Sequence, residues 1–117
     1  MSDLIACLRE AGRAWPGVHG KSPWPGHDDL AVNDKTFAYL SAAGDPPKAS
    51  LKLPFSAPEL LERACATPTH YGLGKAGWVT LDLAAPDAPD LEALLLLLDE
   101  SYRAQAPKRL VKTRGAT

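Results

Sequence analysis

Residues 69–83 read THYGLGKAGWVTLDL, and Gly72, Gly74 and Gly77 fall in the spacing G-x-G-x-x-G. That spacing holds a dinucleotide pyrophosphate when a strand runs into the glycines and a helix runs out, because the anion sits on the free amides of the helix's first turn. Here the glycines are followed by Trp78-Val79-Thr80-Leu81-Asp82-Leu83, an alternating, β-branched and aromatic run that reads as a strand. The glycines therefore read as a hairpin connection. The Walker pattern also fails, since Gly74-Lys75 is followed by Ala76 and position 69 is Thr.

Other chemistry is no better supported. The chain holds no G-x-S-x-G elbow, no H-E-x-x-H and no Cys/His set at metal spacing. His27-Asp28-Asp29 offers three ligand types, but neighbours on a loop rarely converge on one ion, and a solvated polar turn is the plainer reading. His70, beside Tyr71, has a side chain that titrates near neutral pH, against which stands the commoner hydrogen-bonded structural histidine. Asp99-Glu100 reads as a solvated helix end. No catalytic residue, metal site or cofactor is expected, and the reading is non-enzymatic.

The elements that would position these residues follow from periodicity. Leu4, Cys7, Leu8, Ala11 and Trp15 recur at helical spacing up to Pro16-Gly17. Val18 to Asp28, with Gly20, Pro23, Pro25 and Gly26 around Trp24, reads as an irregular surface segment. Leu30-Ala31-Val32 and Thr36 to Ser41 read as strands joined at Asn33-Asp34, and Ala49 to Leu53 as a third. Ser56-Ala57-Pro58-Glu59 matches a capping box, with Phe55 and Leu60 as a staple, for a helix burying Leu60, Leu61, Ala64 and Cys65 and stopping before Pro68. Strands around His70-Tyr71 and over Trp78 to Leu83 follow. A last helix opens after Pro86, Pro89 and Asp90 and carries Leu91, Leu94, Leu95, Leu98 and Tyr102 on one stripe.

The order α-β-β-β-α-β-β-α predicts an α+β fold: two layers, an antiparallel five-stranded sheet, helices on one face. Alternation puts Leu51, Leu53, Val79, Leu81 and Leu83 toward the helices and Lys52, Trp78 and Thr80 on the other face. A tryptophan beside a lysine on an open sheet is a platform for a base, a phosphate or a partner's side chain. Cover of Trp78 by the segment around Trp24 is the alternative.

The 117 residues suit one core, read as a domain over 1–106 with a tail over 107–117. Lys108, Arg109, Lys112 and Arg114 all follow Pro107, which leaves residues 1–106 with 9 basic against 14 acidic groups. Either the tail is a solvated, frayed terminus or it is an arm that contacts phosphates. The longest apolar run, Ala93 to Leu98, is far short of the roughly 20 residues that cross a bilayer. With no secretory leader at the N-terminus, the expectation is a cytoplasmic protein in which Cys7 and Cys65 are buried thiols on helical faces and not a disulfide.

Pro16-Gly17-Val18, Phe37 to Ser41, Ser50-Leu51-Lys52, Tyr71 to Val79 with Lys75 and Trp78, and Leu91 through Ser101-Tyr102 together resemble the MmcQ/YjbR family of small bacterial proteins. The resemblance spans most of the chain and implies an α+β fold related to secretion chaperones and frataxin-like proteins. It also implies a proposed DNA-binding role through a double-wing arrangement of hairpins, and no known enzyme activity. The sequence differs from members with histidines around the turn by having Gly72 and Gly77 there. Lys52, Lys75, Trp78 and Tyr102 are the positions that match.

Two functions are thus expected. One is a DNA-binding module using Lys52, Lys75, Trp78, Arg109, Lys112 and Arg114. The other is a protein-interaction or chaperone-like module, self-associating as a homodimer or taking a protein partner, which offers the sheet face or the last helix, whose Leu96 and Leu97 widen the apolar stripe.

Overall fold

The computed structural model describes residues 4–21, 29–33, 35–41, 47–69 and 77–115. Helix α1 (Leu4–Arg13) leads into strands β1 (Val18–Lys21), β2 (Asp29–Val32), β3 (Lys35–Leu40) and β4 (Lys48–Lys52). A single turn, α2 (Ala57–Leu60), precedes β5 (Ala66–Pro68) and β6 (Trp78–Asp82), and helices α3 (Leu91–Gln105) and α4 (Lys108–Gly115) follow. The six strands form one antiparallel sheet in the order β1-β2-β3-β4-β6-β5.

The architecture is α+β, but with six strands where five were expected. The added strand is β1, which lies in the segment read as irregular. Its Val18 pairs with Val32 at the sheet edge, where Gly20 opposes Leu30 and a glycine costs a strand least. Strand β5 begins in the stretch read as a helix that stops before Pro68. Ala66, Thr67 and Pro68 pair with Leu81, Thr80 and Val79, so the chain must be extended here, and α2 stops at Leu60. Pro68 is tolerated because β5 is an edge strand. Leu61 is consequently exposed instead of facing the core, and Cys65 is buried at the start of a strand, not on a helix. The expected strand at His70-Tyr71, and Trp24, lie outside the described residues.

Two rows of side chains run across the strands toward the helices: Leu30, Ala38, Leu51 and Val79, then Leu40, Ala49, Leu81 and Ala66. Burying each leucine or valine is worth about 1.5–3 kcal/mol relative to exposure. From the helix side come Ile5 and Leu8 of α1 and Leu94, Leu98 and Tyr102 of α3. On α1 the buried stripe is Ile5, Leu8 and Gly12, so Cys7 faces solvent, contrary to expectation. The ladder shifts register between Leu30 and Ala31, opposite Phe37. Phe37 is fully buried and packs with Trp15 and Tyr102, its ring centroids 6.3 and 5.6 Å from theirs.

The expected turn at Asn33 joins β2 to β3, with Val32 paired to Lys35 and Asn33 left-handed at φ 49°. Asp90 caps α3, its carboxylate accepting from the Ala93 amide at 2.9 Å. Ser56 is different. It makes no side-chain cap to α2; instead its hydroxyl donates to Glu100 of α3, which also accepts from the Phe55 and Ser56 amides. The capping box is therefore replaced by a carboxylate from a distant helix, and Phe55 stands 87% exposed instead of stapling the turn.

Candidate nucleic-acid interface

The register of the sheet sorts its charges. Lys35 begins β3 and Lys52 ends β4, which puts them at one end, while Lys48 pairs with Asp82 at the other. Helix α3 runs from Asp90 to the Lys52 end, where Gln105 donates to the Thr36 carbonyl at 3.1 Å and receives Lys52 Nζ at 3.4 Å. The Lys52 amide donates to Ser101 Oγ at 2.8 Å, and the same hydroxyl donates to the Phe37 carbonyl. Ser101 thus fills the gap where β3 and β4 part. Tyr102, the next residue, is fully buried and donates to the Pro16 carbonyl at 2.7 Å. The Ser-Tyr pair at the close of the last long helix is structural: one hydroxyl joins α3 to the sheet and the other to the turn after α1.

That turn receives α4. Gly17 is left-handed at φ 75°, so its backbone calls for glycine, and a side chain there would meet Leu110 Cδ1 at 2.5 Å and have to displace it. Leu110 seats α4 against the domain, and residues 108–115 form a helix, not the frayed terminus considered from sequence. Lys108, Arg109 and Lys112 are exposed on it, and Arg114 lies in its last turn. The exposed Lys35, the half-buried Lys52 and the exposed Arg13 belong to the same end of the molecule. Asp82, Asp87, Asp90 and Glu92 lie at the far end of β6 and the start of α3. A chain of formal net charge −1 thus gathers exposed cations on α4, at the end that bears Lys35 and Lys52.

The second face of the sheet is not the open platform expected. Trp78 does point there, but it is only 5% exposed, and Tyr39 from β3 packs against it with ring centroids 5.3 Å apart. Ala31 on β2 is fully buried. Between them Tyr39, Ser50, Thr80 and Thr67 form a row across four strands, in which Ser50 Oγ and Thr80 Oγ1 lie 2.8 Å apart and Thr69 Oγ1 is 3.1 Å from Thr80. These hydroxyls satisfy one another. Lys52 reaches to α3 rather than standing beside the indole.

Of the residues singled out from sequence, Lys52, Arg109, Lys112 and Arg114 share one end, Trp78 is packed inside, and Lys75 lies outside the described residues. Lys35 and Lys108 also belong to that end and were missed as site residues. Lys35 follows directly on the readable turn at Asn33, which was the available signal. Gly77, the last of the three spaced glycines, is left-handed at φ 91°, and its carbonyl accepts from Leu53 N at 2.8 Å. A side chain there would lie 3.3 Å from Pro54 Cα, and a strand follows, so this glycine serves a turn and a close approach. Asp29 is buried and accepts from the Leu40 amide at 2.8 Å, so it does not stand in a solvated turn. His27 and Asp28 lie outside the described residues. Cys65 donates weakly to the Asp87 carbonyl, and burial, followed by the Asp87 charge, pushes its thiol above the ordinary value. Both cysteines are free thiols, and among the described residues no helix is long and apolar enough to cross a membrane.

Solved structures to which the chain is similar include the following two. A Deinococcus radiodurans protein with the family domain DUF419 superposes with a TM-score of 0.74 at 24% identity, covering 95% of this chain and 87% of that one. A protein from Pseudomonas syringae superposes with a TM-score of 0.67 at 19% identity, covering 90% and 99%. At these identities the likeness is one of fold. Among curated proteins nothing matches. The model of the YjbR family matches residues 13–104, which takes in the sheet, the aromatic cluster and nearly all of α3, and the chain belongs to that family.

Proposed function

We propose that the protein is a non-enzymatic DNA-binding module that holds the phosphate backbone of a duplex at its cationic end. The observation that carries this reading is the placement of α4: Leu110 anchors it beside Gly17 and leaves Lys108 and Lys112 exposed at the end that also bears Lys35 and Lys52. Affinity for DNA comes largely from neutralised phosphates and released counterions, so cations gathered at one end matter more than the mean charge. The proposal also takes in Arg109 and Arg114 of the same helix and, from its match to the family pattern alone, Lys75. Trp78 contributes by holding Tyr39 and the sheet, not by stacking a base. The reading places the protein in a reducing cytoplasm, where Cys7 and Cys65 stay thiols.

Fluorescence anisotropy of a labelled duplex, titrated with protein at several salt concentrations, tests this. Binding should weaken steeply with salt, and replacing Lys108 and Lys112 by alanine should flatten the slope by about one for each phosphate that is no longer neutralised. Lys48→Ala at the opposite end should change nothing. Absence of binding at low salt, or a slope indifferent to the α4 lysines, would refute the proposal.

A further inference from the structure

A groove of about 290 Å³ runs between α2 and α3, lined by the apolar side chains of Leu60, Pro89, Ala93, Leu96 and Leu97. None of its lining residues belongs to the surface proposed for DNA. Leu96 on its α3 wall is 70% exposed, and Phe55, the residue before Ser56 of the lining, is 87% exposed. A contiguous apolar surface marks an interaction site where a lone exposed leucine would not, and Leu96 continues the apolar wall of Leu97 and Ala93. An open groove between two helices suits side chains inserted from a protein segment.

The surrounding charge says what kind of segment. Glu59 and Glu62 are exposed on the α2 side; Glu92 lies one helical turn before Leu96 and Glu100 one turn after it. Among the lining residues themselves Glu59 and Glu100 face one cation, Arg63, and Arg103 further along α3 is bound to Asp99 at 2.9 Å. The chain's own basic helix is a poor candidate, since the Leu110 side chain of α4 is already seated against Gly17. We propose that this groove docks an amphipathic helix of another protein, one that inserts an apolar side chain between Leu60 and Leu96 and flanks it with lysine or arginine. The mode is an amphipathic helix laid apolar face first into a groove, with the acidic rim selecting the sign of its flanks.

The test uses the full chain and three labelled peptides in fluorescence anisotropy: a leucine–lysine amphipathic helix, its leucine–glutamate counterpart, and a lysine–serine peptide of equal charge with no apolar face. The leucine–lysine peptide should bind and the other two should not. Leu96→Asp should weaken binding at least about tenfold, the loss expected of one anchor side chain. Glu59→Lys should weaken it as well, and Lys112→Ala should leave it unchanged, which separates this surface from the one proposed for DNA. Leu96 is mostly exposed, so the aspartate variant should keep the wild-type thermal melt. Equal binding of the lysine–serine peptide would reduce the surface to a charged patch and overturn the proposal. So would binding indifferent to Leu96→Asp. Sedimentation showing self-association of the wild type that Leu96→Asp abolishes would assign the groove to a second copy and overturn it too.

Discussion

Replacing Ser101 by alanine removes one hydroxyl and two hydrogen bonds. The side chain is fully buried, donates to the Phe37 carbonyl and accepts from the Lys52 amide. Alanine leaves both backbone groups facing a gap between β3 and β4 that the strands do not close themselves. A buried backbone group left without a partner costs about 1–3 kcal/mol, so the pair costs about 2–6 kcal/mol. That is a large part of the roughly 5–15 kcal/mol by which a domain of this size is stable. With a urea slope of about 2 kcal/mol/M, the unfolding midpoint should fall by roughly 1–3 M while the slope itself stays unchanged. Ser56→Ala is the comparison: Ser56 is half-buried and water can reach Glu100, so its loss should be near 1 kcal/mol. A midpoint shift for Ser101→Ala no larger than that for Ser56→Ala would show that α3 does not bridge the strands as described.

Three further outcomes are expected. Gly17→Ala should cost about 1–2 kcal/mol of backbone strain and push Leu110 aside, so hydrogen exchange of residues 108–115 should accelerate more than that of α3; equal protection in both proteins would count against the docking of α4. Trp78→Ala should destabilise the fold by about 3–5 kcal/mol in chemical denaturation, as for a core aromatic, where an exposed platform residue would cost under about 1 kcal/mol. The Cys65 thiol has a folded pKa raised above the ordinary 9.0, so its contribution to stability is fully present below that value and is lost as the pH rises through the folded pKa; unfolding midpoints should fall more steeply above pH 9.0 in the wild type than in Cys65→Ala, and parallel curves would refute the assignment.

Strand interiors and the start of α3 were legible because local pattern decides them. Leu51, Leu53, Val79 and Leu81 alternate toward the helices and are fully buried, and α3 begins directly after Asp90. The misread segments are those in which pairing with a distant strand overrides local preference. Val18–Lys21 has glycine and prolines around it but gains a partner in β2, and Cys65 looks helical until β6 offers its edge to Ala66. The candidate site was half legible for the same reason. The cations of the tail could be counted in the sequence, but their meeting with Lys35 and Lys52 depends on Leu110 finding Gly17, a contact across more than ninety positions of chain. Trp78 was placed on the correct face and given the wrong exposure, because alternation states a direction and says nothing of what Tyr39 does above it.

The Glu100 carboxylate, which gathers the amides of Phe55 and Ser56, bears on the order in which the chain assembles. A helix start capped from within can form before the rest of the protein. One capped from 44 positions away has to wait for a loop of that length to close. The turn at Ala57–Leu60 is therefore a late arrival in folding, set only after α3 has settled on the sheet. Any event that lifts α3 would release it first.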